Sequence, residues 1–368
     1  MKPRSKSSNE LKLSARFAGF NEETRSYGRA LISLSLNRRK PVNTMKLTAC
    51  LLLLSCGAAL AATEEQINKK FNVTPGGTLV VDVDFGSITV NTSGANQATV
   101  DVWRKISRKN KADEQAFLRT YPVSFSQDGA TLTVRAEHDQ EAHAWFWSSR
   151  NQNEAKYIIT VPAQFNVQLK TAGGPVSVND LSGDVNAHTS GGGLSFARLH
   201  GPLDGQTSGG AIQVADCDGA LRIHTSGGGI SVTGGSGTLD GHTSGGPVKV
   251  KDFHGNTHVE TSGGGITVEN VTGAIEGSTS GGGVYAVLPS PLSGEVKLST
   301  SGGGITVRIP EHAAFDLDAK TSGGGVSSEL PVTVTGKMEN GLLKGSVNGG
   351  GKTVRLHSSG GGIHVEKL

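Results

Sequence analysis

One phrase, restated at a fixed interval, limits what this 368-residue chain can fold into more than any other feature. Thr171-Ala172-Gly173-Gly174-Pro175 is followed by Thr189-Ser190-Gly191-Gly192-Gly193, and the phrase restarts at Thr207, Thr225, Thr243, Thr261, Thr279, Thr300 and Thr321. The first six intervals are 18 residues and the next two are 21. Degenerate copies stand at Asn348–Gly351 and Ser358–Gly362. Of the 53 Gly, 45 lie beyond residue 170, with no triplet period of the collagen kind. A fixed period of this length is the signature of a solenoid, a stack of short coils.

Counting the phrase Thr as zero, position +5 is aliphatic from Val176 and Leu194 through Ile305 and Val326. Position +7 mostly follows suit (Val178, Phe196, Val214, Val232), as does position −4 (Val167, Val185, Leu203, Leu221). Polar residues take +6 and −1. Alternation of this kind predicts two short strands per coil, each with one face inward. A single coil buries too few aliphatic side chains to offset the entropy of ordering itself, so neighbouring coils must stack. The glycines are expected to make the corners through positive φ and to let coils approach closely. The Thr and Ser hydroxyls are expected to bond their counterparts one coil away. The fold class is therefore all-β: a parallel β-solenoid of about 18 residues per coil, two short strands per coil, with a β-rich N-terminal cap.

Three alternative chemistries fit the repeat poorly. Calcium-binding nonapeptide coils need an Asp after the glycines, where this chain has Gly-Ile-Ser-Val. Left-handed coils of three hexapeptides need aliphatics every six positions, and here they fall at +5, +7, +10 and +14. A phosphate cradle needs a strand–loop–helix setting, whereas here strand follows strand.

The flanks read differently. Residues 45–62 form an export signal: Lys46, an apolar core from Leu47 to Leu54, and Ala59-Leu60-Ala61 as a signal-peptidase site before Ala62 or Thr63. Lipidation at Cys56 and an uncleaved segment are the alternatives. Residues 1–44, basic and upstream of that signal, read as a disordered extension from a misassigned start. Eleven of the 35 Lys and Arg but only three of the 32 Asp and Glu precede Thr63. The mature chain is therefore acidic and lacks the electrostatic footprint of a nucleic-acid binder. It contains no run of 18 apolar residues, so no transmembrane helix is expected. Residues 63–170 read as a β-rich cap with one helix near Asn110–Tyr121, residues 171–329 as the repeat solenoid, and residues 330–368 as irregular C-terminal coils and a hairpin cap.

The repeated Thr-Ser-Gly-Gly-Gly-Ile-x-Val, with the lead-ins Phe85-Gly86-Ser87-Ile88-Thr89-Val90 and Ile159-Thr160-Val161-Pro162, resembles the bacterial "putative adhesin" family of β-strand-repeat domains of unknown function. The resemblance covers nearly all of residues 70–368. It implies a β-solenoid on an exported or envelope-facing protein, in the periplasm or on the cell surface, and carries no catalytic residues to transfer.

Four groups of residues stand out as candidates. Position −1 reads His188, Gln206, His224, His242, Glu260 in successive coils, and His224, His242 and Glu260 are the set able to share a metal ion. Trp145, Phe146 and Trp147 form an aromatic cluster suited either to partner contact or to plugging the solenoid's end. Cys217 holds a core position. Asp180, Asp216 and Asp252 share position +9 and resemble the carboxylate row of a solenoid hydrolase. The expected function is binding or structural, with no cofactor or catalysis and with a surface, polymer or protein as partner. The alternatives are a glycan-acting enzyme on the same scaffold and a periplasmic envelope-stress scaffold or sensor.

Overall fold

Strands of four to eight residues in which every second side chain is buried (Val176–Asn179, Leu194–Ala197, Leu203–Thr207, Ile212–Ala215 among them) are the unit from which the molecule is built. The computed structural model describes residues 62–137, 152–334 and 339–368. The strands line up in two sheets, one of 14 strands and one of 15. Successive coils pair in parallel, each residue opposite its equivalent one repeat later. Leu194 faces Ile212, which faces Ile230, in one sheet, and Leu203 faces Leu221, which faces Leu239, in the other. This is a β-solenoid with two strands per coil. Its core lies between the sheets, where columns +5, +7 and −4 are almost wholly buried.

The corners depart from the expected chemistry. The phrase Thr does not bond its counterpart. Its buried hydroxyl donates to the carbonyl of a glycine in the preceding coil: Thr189 to Gly174 at 2.9 Å, Thr207 to Gly192 at 2.7 Å, Thr225 to Gly210 at 2.8 Å, Thr279 to Gly264 at 2.7 Å. The same oxygen accepts the backbone N–H of the glycine three residues on, as Thr225 does from Gly228 at 3.2 Å. Each phrase Thr is at most 5 % exposed, and at Thr189, Thr207, Thr225, Thr261, Thr279 and Thr300 the hydroxyl is satisfied as both donor and acceptor. At Ser358 the hydroxyl is kept and the methyl lost, with the same two bonds, to the Gly303 carbonyl and from the Gly361 N–H.

The phrase glycines are not in the left-handed region, contrary to expectation. The middle one is required by proximity: a Cβ at Gly210 would lie 2.1 Å from the Gly192 carbonyl oxygen, and one at Gly228 would lie 2.0 Å from that of Gly210. Positive φ occurs at the opposite corner. Position +9 is left-handed at Asp180, Arg198, Asp216, Asp252 and Asn270, with φ between 51° and 60°. Asp and Asn tolerate that region better than most residues. The Asp180/Asp216/Asp252 row thus meets a turn requirement of the backbone, and Asp180 is held by Arg198 at 2.9 Å.

Coil order is permuted at both ends. At the start, Thr78–Val83 and Ser87–Ser93 lie between the coil of Thr131–Ala136 and Gln152–Pro162 and the coil of Asn166–Thr171 and Val176–Asn179. At the finish, Lys352–Ser358 and Ile363–Lys367 slot between Val296–Thr300/Ile305–Ile309 and Phe315–Thr321/Val326–Ser328. The last strand is therefore interior to its sheet, and the segment beyond Leu330 is more than a hairpin cap. Leu342–Val347 does form an antiparallel hairpin strand, on the outer side of Phe315–Thr321.

The outermost strands are blunt. Thr63–Asn72 (TEEQINKKFN), too polar to be read as a strand from sequence, closes one edge, and the two- and three-residue strands Thr333–Val334 and Val326–Ser328 close two others. Near the start, helix Lys111–Thr120 is capped by the Asn110 side chain accepting from the Asp113 N–H at 2.8 Å. It buries Phe117, while Leu118 is half-buried. Buried Arg104 is neutralised by Glu65 and donates to the Tyr121 carbonyl at 2.7 Å.

The corners and the ends lead to three expected outcomes. Gly210→Ala should lose about 2–3 kcal/mol of stability in denaturant unfolding by overpacking, whereas Gly209→Ala, whose nearest neighbours lie at 3.5 Å, should be close to neutral. Thr225→Val should cost about 1–3 kcal/mol by leaving buried backbone groups unpaired, and Thr225→Ser should restore most of it. In hydrogen exchange, amides of Ile363–Lys367 should be protected like mid-stack strands rather than fraying like a chain end. Early exchange there would contradict the interior placement.

Candidate functional site

In-register stacking converts each outward sequence position into a column of side chains. On the 15-stranded sheet, position −3 runs Asn186, Asp204, Arg222, Asp240, His258, Glu276, and continues to Lys297. Beside it, position −1 runs His188, Gln206, His224, His242, Glu260, Ser278. Neighbours within a column are about 4.8 Å apart because that is the spacing of paired strands.

A furrow follows the −3 column. One stretch of about 490 Å³ is lined by Asn186, Asp204, Arg222 and Asp240. A second, of about 400 Å³, is lined by His258, Glu276 and Lys297. Thr238 borders both. A third opens near the C-terminal coils beside Asp318, Lys344 and Arg355.

The charges here alternate. Arg222 Nε lies 4.0 Å from Asp240 Oδ2, and Asp240 Oδ1 lies 2.7 Å from His242 Nε2. His242 Nδ1 is 3.3 Å from Glu260, whose other oxygen is 3.4 Å from His258 Nε2. His258 Nδ1 is 3.6 Å from Glu276, and Glu276 is capped by Lys297 at 2.5 Å. Lys297 holds the Glu276 carboxyl below its usual range. The network crosses five strands, and its side chains are half-exposed.

The column His224, His242, Glu260 is corrected by this geometry. His242 and Glu260 do meet, but His224 contributes no ligand atom. The close set is Asp240, His242 and His258, with ligand atoms within 4.8 Å of one another. Scanning one column missed Asp240 and His258 because they sit two residues away on the same strands. Reading −3 and −1 together would have found them, since both positions point outward.

The other candidates fall elsewhere. Cys217 is buried in the core, where burial pushes its thiol pKa up, so it is poorly suited to nucleophilic or redox chemistry. Trp145, Phe146 and Trp147 lie outside the described residues, as do Cys56 and the signal segment. No described helix is long and apolar enough to cross a membrane.

Comparison with known proteins agrees with the architecture at the level of family. No curated protein matches the chain. Among solved structures, a putative adhesin from Bacteroides fragilis NCTC 9343 is 13 % identical, covering 83 % of this chain and 97 % of its own, with a TM-score of 0.29. A putative cell adhesion protein from Clostridium sporogenes ATCC 15579 is 11 % identical over 83 % of this chain and 100 % of its own, with a TM-score of 0.23. A putative lipid binding protein from Parabacteroides distasonis ATCC 8503 is 11 % identical over 83 % and 97 %, also with a TM-score of 0.23. Superpositions this loose carry no structural argument, and membership rests on the family's sequence model. That model, Toastrack DUF4097, matches residues 78–366, from the first inserted coil to the last, and the chain belongs to this family.

Proposed function

We propose that this is an exported binding protein that holds an extended polysaccharide of a cell envelope along the furrow of its 15-stranded sheet. The carrying observation is the furrow's form. From Asn186 to Lys297 it crosses seven strands, a length of about 29 Å at the strand spacing. That length suits several linked units better than one small molecule. Its lining is rich in hydrogen-bonding side chains of both signs repeated at strand spacing, the arrangement a polymer of repeating polar units can match. The family membership supports a binding or structural role. The export signal read from the sequence of residues 45–62 supports delivery to the periplasm or cell surface. A catalytic reading loses its main support now that the +9 carboxylates are turn residues.

Retention of the full chain on insoluble peptidoglycan sacculi and on a panel of soluble bacterial polysaccharides tests the proposal. Wild type should be retained on at least one of them. Arg222→Ala combined with Lys297→Ala should weaken retention at least about 10-fold, the equivalent of roughly 1.4 kcal/mol, with an unchanged melting temperature because both side chains are exposed. Retention on none of them, or retention indifferent to the double substitution, would overturn the polysaccharide reading. Export is tested separately by protease treatment of intact cells with mass spectrometry of the N-terminus. An N-terminus at Ala62 or Thr63 is expected, with digestion in intact cells marking the cell surface and digestion only after the outer envelope is opened marking the periplasm; an uncleaved chain found only in the cytoplasmic fraction would refute export.

A further inference from the structure

We infer that Asp240, His242 and His258 form a binding site for a divalent transition-metal ion of the zinc class on the outward face of the 15-stranded sheet, with Glu260 beside it on the far nitrogen of the His242 ring. This inference does not depend on what occupies the furrow. The four residues sit at the corners of a quadrilateral on two adjacent parallel strands, Ser236–Thr243 and His254–Thr261. Asp240 is paired with His258 and His242 with Glu260. Imidazoles therefore take one diagonal, with ring centroids 5.4 Å apart, and carboxylates take the other. Two imidazoles and one carboxylate, from His242, His258 and Asp240, are a three-ligand donor set that zinc accepts with a fourth position open to water.

The spacing is close to what an ion needs. Donors on one zinc ion lie about 2.0–2.2 Å from it, and so within roughly 4.4 Å of each other. Atoms of Asp240, His242 and His258 already lie within 4.8 Å of one another. A tetrahedral zinc draws its donors to about 3.4 Å from one another, and half-exposed side chains can reach that separation by rotamer adjustment of up to about an ångström. The outer contacts also have the right form. His258 turns its second nitrogen toward Glu276 at 3.6 Å, the carboxylate–histidine arrangement that orients metal ligands. Arg222 and Lys297 sit on Asp240 and Glu276 and limit the repulsion among the carboxylates.

The hydrogen-bond inventory gives an independent reason for a cation. Both nitrogens of His242, and both of His258, face carboxylate oxygens between 2.7 and 3.6 Å away. A neutral imidazole donates through one nitrogen only. One lone pair on each ring therefore points at an anionic oxygen, a contact that a shared cation between them makes favourable. The strands hold this arrangement in place because their register is set by the buried Thr–Gly lattice rather than by the surface residues.

The test is calorimetric titration of the tag-free full chain with Zn²⁺ alone, repeated with Co²⁺ and read by visible absorption. Wild type should bind one equivalent. His242→Ala with His258→Ala should lower affinity by about 100-fold or more, and Glu260→Gln should lower it by about 10-fold, by loss of the carboxylate that orients the His242 ring. His224→Ala should bind like wild type. The substituted side chains point away from the core, so circular dichroism should be unchanged and a loss of binding is not a loss of fold. No binding by folded wild type, meaning that protons alone satisfy the imidazoles, would overturn the inference. So would binding that survives the double His substitution, which would place the ion elsewhere.

Discussion

The buried threonine hydroxyl that joins one coil to the last is the interaction on which the rest of this structure depends. It donates to a glycine carbonyl of the preceding coil and accepts a glycine N–H of its own. At the corner the backbone turns without a strand partner for every polar group, and a group left unpaired beside the buried Thr is costly. The hydroxyl fills that gap at each level. It works only if the neighbouring glycine lacks a side chain, because a Cβ would overlap the carbonyl below. Thr and Gly are thus two halves of one contact, which is why the phrase recurs intact while the residues around it vary.

That contact also sets the surface. With the corner locked, each strand stacks in register on the next, and every outward position becomes a column. A column of mixed charge on a rigid sheet cannot relieve repulsion by moving its backbone, so it does so by pairing. The zigzag from Arg222 through Asp240, His242, Glu260, His258 and Glu276 to Lys297 is the result. The furrow beside it follows from the same regularity, as does the concentration of imidazole and carboxylate donors at two adjacent coils.

A stack of identical coils has no internal reason to stop, and exposed strand edges invite further pairing. Here both ends solve this in a related way. A coil distant in sequence is inserted between two consecutive coils, and beyond it lie antiparallel, very short or charged strands. The inserted coils tie the ends of the repeat by non-local pairing, so that neither end is held by nearest-neighbour contacts alone.

The repeat, the two strands per coil, the inward columns and the need for stacking were all legible in the sequence, because each is a local periodicity that alternation and burial translate directly. So was the place of Cys217, from the large apolar residues at the equivalent positions Leu199 and Phe253. The roles of the corner residues were not. The glycines of the regular Thr phrases were needed for closeness, positive φ falling instead at the opposite corner, at glycines such as Gly201 and Gly219 and at the +9 Asp residues, and such distances and dihedrals exist only once coils are stacked. The proposed metal-ligand set was only partly legible: His242 stood out in its column, but Asp240 and His258 join it only across two columns, after the register has been fixed. The permuted coils at the ends were not legible at all, because the repeat specifies what a coil pairs with chemically but not which coil, and only tertiary packing makes that choice.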